Sequence, residues 1–217
     1  MAVRFLGKMS DPRLGSEQRQ GDWMHFYIDE TFQLPSDRKR SDFPPFYTLA
    51  ATGYQEQDLS RIRKLLLDAE GGKPVHGSDL VRTETGRDRL EEIVRQVSPG
   101  STAIVTSAAI PKKDRQGEAT RAQLLRILIH YLLENFDVQK IVIEKRMFGV
   151  PSSRDAFVLR SIRRGHPQLS KSDLRQVPKK GEPMLWTADL LACSFRQKQK
   201  RDSHRFIELW DVDYLVP

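Results

Sequence analysis

Four acidic side chains stand where an acid is costly. Asp29 and Glu30 close the apolar run that begins at Met24, Glu144 closes VQKIVIE (138–144), and Asp189 lies inside LWTADLLA (185–192). A carboxylate in such surroundings loses hydration and persists only when another group pairs with it. Crowded acids raise each other's pKa unless a cation neutralises them, and a hard divalent ion with oxygen ligands does this. Strand ends and a packed helix can converge, so Asp29, Glu144 and Asp189 are candidate ligands of magnesium or manganese, with Glu30 assisting them. The matching chemistry is phosphoryl transfer with metal-activated water. Each acid also has a purely structural reading: Asp29 as the cap of a turn, Glu144 paired with Lys145 or Arg146, Asp189 satisfied by an arginine from the next layer.

Other polar residues fit around that centre. His76 follows Pro74 in a loop, where it orients a water, touches a phosphate or simply bonds backbone. Arg146 and Arg154 flank 147–151 just after Glu144, which suits a bidentate grip on phosphate or ordinary salt bridges. Asp155 is a substitute ligand or, better, a helix N-cap. The one cysteine, Cys193, can form neither an internal disulfide nor a thiolate metal site.

The formal charge of +7 is unevenly placed: residues 1–120 hold 18 basic and 18 acidic side chains, residues 121–217 hold 18 and 11. A polyanion suits the second half, and RNA or DNA is the expected partner, bound through its phosphates. The candidate contacts are Arg146, Arg154, Arg163, Arg164, Lys179, Lys180, Arg196, Lys198, Lys200 and Arg201. The competing reading is a solvated face with no partner.

These residues need positioning elements. Short aromatic and β-branched runs predict strands at 24–29 and 44–54, and helical spacing of Leu59, Ile62, Leu66 and Leu67 predicts a helix over 56–70. A second helix is expected over 85–97. Then come a strand at 101–110, the strongest helix at 118–136 and a strand at 138–144, a βαβ unit whose strands should be parallel. A helix at 154–164, a strand at 174–177 and a last helix from Pro183 to about Gln199 follow. Residues 1–22 read as a flexible arm and 23–217 as a single domain.

With 217 residues, 38% hydrophobic and 30% charged, and a mean hydropathy of −0.55, the chain can fill a core beneath a strongly charged surface. It contains no apolar run that would span a membrane and no secretory leader pattern, so a soluble, cytoplasmic protein is expected. The apolar tail Phe206–Trp210 with Tyr214–Val216 is either a docking segment, for a second copy or another protein, or a last strand on the core.

At these motifs a family resemblance enters. FYIDET (26–31) resembles the "YIDES" opening of the bacterial family called domain of unknown function 3800, and TADLLA (187–192) resembles its "QxADLLAG" helix. VHGSDL (75–80) is similar to the His-containing segment between them. Thr31 stands where Ser is usual, Trp186 where Gln is usual, Cys193 in place of Gly, and Lys73 where an acid often precedes the Pro. The resemblance implies an α/β fold of ribonuclease H-like type, a mixed central sheet flanked by α-helices, with a metal-binding acidic centre. It matches Asp29, Glu30 and Asp189 to the family's acids, and Glu144 to its later-strand acid. The implied activity is a metal-dependent nuclease, in settings that include defence or toxin-type assemblies; the alternative is a noncatalytic nucleic-acid or ribonucleoprotein binding module.

Overall fold

The computed structural model describes residues 23–36, 43–69, 71–146, 150–167, 169–171, 173–201 and 203–217, without the side chains of 150–153 and 201. The expected arm, the charged loop at Arg38–Arg40 and residues 147–149 lie outside the described residues. Six strands form one sheet in the order β5-β4-β1-β2-β3-β6. β1 (Met24–Gln33) and β2 (Phe46–Gln55) pair antiparallel from Met24↔Gln55 to Gln33↔Phe46. β1 thus runs four residues past Asp29, which sits within the strand rather than at its end, because polar Thr31 and Gln33 are buried against β2.

β3 (Thr102–Ala109) continues the antiparallel meander beside β2, while β4 (Val138–Glu144) and β5 (Leu174–Val177) add in parallel on the other side of β1. β3 and β4 point the same way, as a βαβ unit requires, but β1 and β2 lie between them. The result is a mixed α/β sheet with helices on both faces. β6 (Val212–Leu215) joins β3 in parallel as an edge strand. Phe206, Ile207 and Trp210 are buried in the core, so this tail is built into the fold rather than left free to dock.

Successive strand residues point to opposite faces. Tyr27 packs with α1 (Glu56–Ala69), α3 (Glu84–Val97) and α6 (Leu185–Arg201), whereas Phe26 and Ile28 pack with α4 (Glu118–Asn135) and α5 (Val150–Gly165). Asp29 therefore follows Tyr27 to the α6 face, and Glu30 follows Ile28 to the α4–α5 face. A four-residue helix, α2 (Gly77–Leu80), stands between α1 and α3. α4 enters through Gly117, whose φ of 69° suits glycine. Asp114 Oδ2 accepts from Thr120 N–H and Oγ1, both at 2.8 Å, and secures that first turn. Among the described residues no helix is long and apolar enough to cross a membrane.

Candidate functional site

On the α6 face, three acids meet a lysine. Asp29 is buried within β1, Glu144 ends β4, and Asp189 lies on the second turn of α6. Lys179, in a 3-10 turn after β5, donates to Asp29 Oδ2 at 2.9 Å and stands 2.8 Å from Asp189 Oδ1. Glu144 lies within hydrogen-bonding reach of Asp29, and its charge adds to the potential around Lys179. Asp189 Oδ2 also accepts the Gly77 N–H at 2.7 Å.

Packing explains how α6 holds this geometry. Thr187 Oγ1 meets Thr52 Oγ1 of β2 at 2.6 Å, fixing the helix to the sheet. The Trp186 indole N–H donates to the Lys179 carbonyl at 3.1 Å, tying the lysine's turn to the start of the same helix. Gly77 is packed so closely on α6 that a Cβ there would stand 2.7 Å from Cys193 Cβ. That contact is what lets the Gly77 amide reach Asp189.

Burial, then the hydrogen bond with Glu144, pushes Asp29 up to about 7. Burial and the nearby Asp29 raise Asp189 as well. For Lys179 burial opposes the charge, but Asp29 and Asp189 outweigh it and hold the ammonium above the ordinary lysine range. The cluster is acidic and already contains one internal cation.

The three-acid cage expected from the sequence is not formed directly: among the described residues, no three His, Cys, Asp or Glu side chains are grouped to hold one ion. The physical reason is Lys179, whose ammonium occupies the space between Asp29 and Asp189. The donor chemistry nevertheless suits a hard ion, since the acids offer carboxylate oxygens. An octahedral magnesium ion needs oxygens at about 2.0–2.1 Å, so it would take the ammonium's place.

Glu30 is not with this group. On the opposite face its carboxylate receives Arg121 Nε at 2.5 Å, and Arg121 also pairs with Asp155. Arg146 forks onto Glu118 at 2.6 and 3.0 Å and reaches Asp155 Oδ1 at 3.0 Å, while Gln176 donates to Asp155 Oδ2 at 3.1 Å. Arg146 is thereby committed to salt bridges rather than presented to a phosphate. Asp155 lies inside α5, which begins at Val150, so it is neither an N-cap nor part of the acid group on the α6 face.

His76 is exposed at the N-cap position of α2; its carbonyl accepts from Asp79 and Leu80, and its side chain makes no capping bond. Arg163 donates to the Leu174 carbonyl. Arg196 donates to Thr31 Oγ1 at 3.3 Å, Lys198 lies 5.0 Å from the Tyr214 ring centre, and Lys200 lies 6.0 Å from that of Phe46. Arg154, Arg164 and Lys180 are exposed. The Arg201 side chain lies outside the described residues.

Sequence reasoning placed Lys179 among the phosphate contacts and missed its position between the acids; adjacent Lys179 and Lys180 carry no periodic signal to separate them. Arg121, 1% exposed, was missed as well. Its signal was present, because Arg121 falls on the stripe of Leu125 and Leu128, an arginine on an otherwise apolar helix face.

No family model matches the sequence, and no curated protein matches it. Among solved structures the chain is similar to a crystal structure of a mutant protein of Bst-RNase HIII, with a TM-score of 0.46 and 12% identity over 82% of this chain and 53% of that one. It thus spans about half the length of that structure. The side-chain roles rest on the geometry above.

Proposed function

We propose that the chain is a divalent-metal-dependent nuclease, or a closely related phosphodiester-processing enzyme, of the domain of unknown function 3800 type. The observation that supports this reading is the gathering of buried Asp29 and Asp189 around Lys179, with Glu144 beside Asp29 at the carboxyl end of β4. A magnesium or manganese ion held by Asp29, Glu144 and Asp189 would polarise a phosphodiester oxygen and acidify a water. The Gly77 amide holds Asp189 in place through Oδ2. Lys179, once displaced from the acids, supplies a positive charge at the mouth of the site for a phosphate. The basic excess of residues 121–217 supports a nucleic-acid substrate.

One observation favours a second reading: the Lys179 ammonium bridges Asp29 and Asp189 as a permanent counterion would. On that reading the fold is a noncatalytic nucleic-acid binding module. The test is cleavage of labelled RNA, DNA and hybrid with magnesium or manganese, comparing the wild type with Asp189→Asn. Asparagine retains an oxygen for the Gly77 N–H and removes the charge. Metal-dependent cleavage lost in a folded variant supports the nuclease; a wild type that binds but never cuts, with a melting temperature indifferent to divalent ions, supports the module.

A further inference from the structure

On the far face of the sheet from the acids, α4 and α5 leave a groove of about 410 Å³ between their N-terminal halves. Its composition is unusual for a surface between two helices. Small Ala119 and Ala122 leave space along α4, buried Val158 contributes an apolar patch, and the Phe157 ring stands 59% exposed. Arg126, Arg154 and Arg160 line the same groove. Among the described residues none of these three arginines makes an ion pair. The one acid of the lining, Glu118, is neutralised by the fork of Arg146. The groove therefore combines an exposed aromatic ring with three guanidinium groups that have no acidic partner among the described residues, Arg126 also donating to the Ala122 carbonyl of its own helix at 3.4 Å.

An exposed phenylalanine offers a flat apolar face on which a base can stack, and guanidinium groups without an acidic partner attract phosphate. The ligand with both properties is a nucleotide unit whose base is free to stack. Bases in a duplex are already stacked on each other, so this chemistry selects single strands. We propose that the α4–α5 groove is a subsite for single-stranded nucleic acid, in which a base stacks on Phe157 and Arg126, Arg154 and Arg160 contact the flanking phosphates.

This deepens the nucleic-acid reading and rests on it. The groove also has a structural route to the acidic site: Arg154 adjoins Asp155, Asp155 pairs with Arg121, and Arg121 pairs with Glu30, the neighbour of Asp29.

The experiment is fluorescence anisotropy with a labelled dodecamer as single-stranded DNA, single-stranded RNA and DNA duplex, in EDTA so that nothing is cut. Phe157→Ala should weaken single-strand binding by about 5- to 150-fold, the range expected for losing one stacked base, and leave duplex binding within about twofold; Phe157→Trp should retain it. Quenching of a 2-aminopurine base in the strand should appear with the wild type and vanish in Phe157→Ala. The circular dichroism melt of each variant should match the wild type, since the ring lies on the surface. Single-strand binding equal in Phe157→Ala and wild type overturns the subsite while leaving the nuclease reading intact. A wild type that binds and quenches single strands in EDTA but cuts none of them when magnesium or manganese replaces EDTA supports the subsite and counts against the nuclease. No binding of any nucleic acid overturns both.

Discussion

Lys179→Met removes the ammonium between Asp29 and Asp189 and keeps most of the side chain's volume. The Nζ lies 2.9 and 2.8 Å from the two carboxylates and the side chain is 11% exposed. At an effective dielectric of about 20 each contact is worth roughly 6 kcal/mol of gross attraction, most of it offset by desolvation. Removing one partner from a buried group of charges costs about 3–5 kcal/mol. At about 2–4 °C per kcal/mol for a protein of this size, the melting temperature in EDTA should fall by roughly 10 °C. The loss should be smallest in acid, where Asp29 takes up a proton.

The same substitution empties the cation position. If the acids are metal ligands, millimolar magnesium or manganese should restore the lost melting temperature, with about 2.7 kcal/mol recovered at an ion concentration of 100 times Kd. Thermal melts in EDTA and in each ion, with calorimetric titration of the ion into wild type and variant, measure both halves. If the acids instead serve only as partners for the lysine, the variant stays destabilised in every ion. A variant as stable as the wild type in EDTA would refute the reasoning altogether, because the three acids would then not be sharing Lys179 as their counterion.

Asp29 also predicts a pH dependence. Its pKa rises from 3.8 to about 7 on folding, so between those values the folded chain holds a proton that the unfolded chain has lost. Metal-free stability should fall as pH rises from about 4 to 7, by up to about 4 kcal/mol, and Asp29→Asn should flatten that slope in urea titrations. Gly77→Ala should cost about 1–3 kcal/mol through overpacking, because the new methyl stands 2.7 Å from Cys193 Cβ. Adding Cys193→Gly should relieve the clash, whereas Cys193→Ala, which keeps Cβ, should not; chemical denaturation of both double variants tests it. Affinity for single-stranded nucleic acid should fall with salt at a log–log slope of about −0.7 per phosphate contacted, and Lys198→Glu with Lys200→Glu should make the slope shallower. A slope unchanged by that reversal would mark both lysines as part of a solvated face.

Whatever depended on neighbours in sequence was legible in advance. VQKIVIE is a strand from Val138 to Glu144, and α1 and α4 appear over the stretches where helices were expected. Asp29, Glu144 and Asp189 stood out because acids embedded in apolar runs do so without any knowledge of their partners, and the family resemblance implied the mixed sheet flanked by helices that the strand order has. Glu30 was expected beside the ligands, whereas strand alternation sends it to the face opposite Asp29; the element's true length was hidden by the polar Thr31 and Gln33 that β2 buries.

Partner choice was a different matter. Lys179 meets Asp29 across 150 positions of chain, and Arg121 meets Glu30 across 91. Local pattern says that a buried charge needs a counterion but not which of 36 basic side chains supplies it. That depends on which elements the sheet order brings together, as when β5 beside β4 delivers the Lys179 turn onto α6. The α4–α5 groove was invisible for the same reason: Phe157 reads as one more apolar residue until the packing of two helices leaves its ring in water.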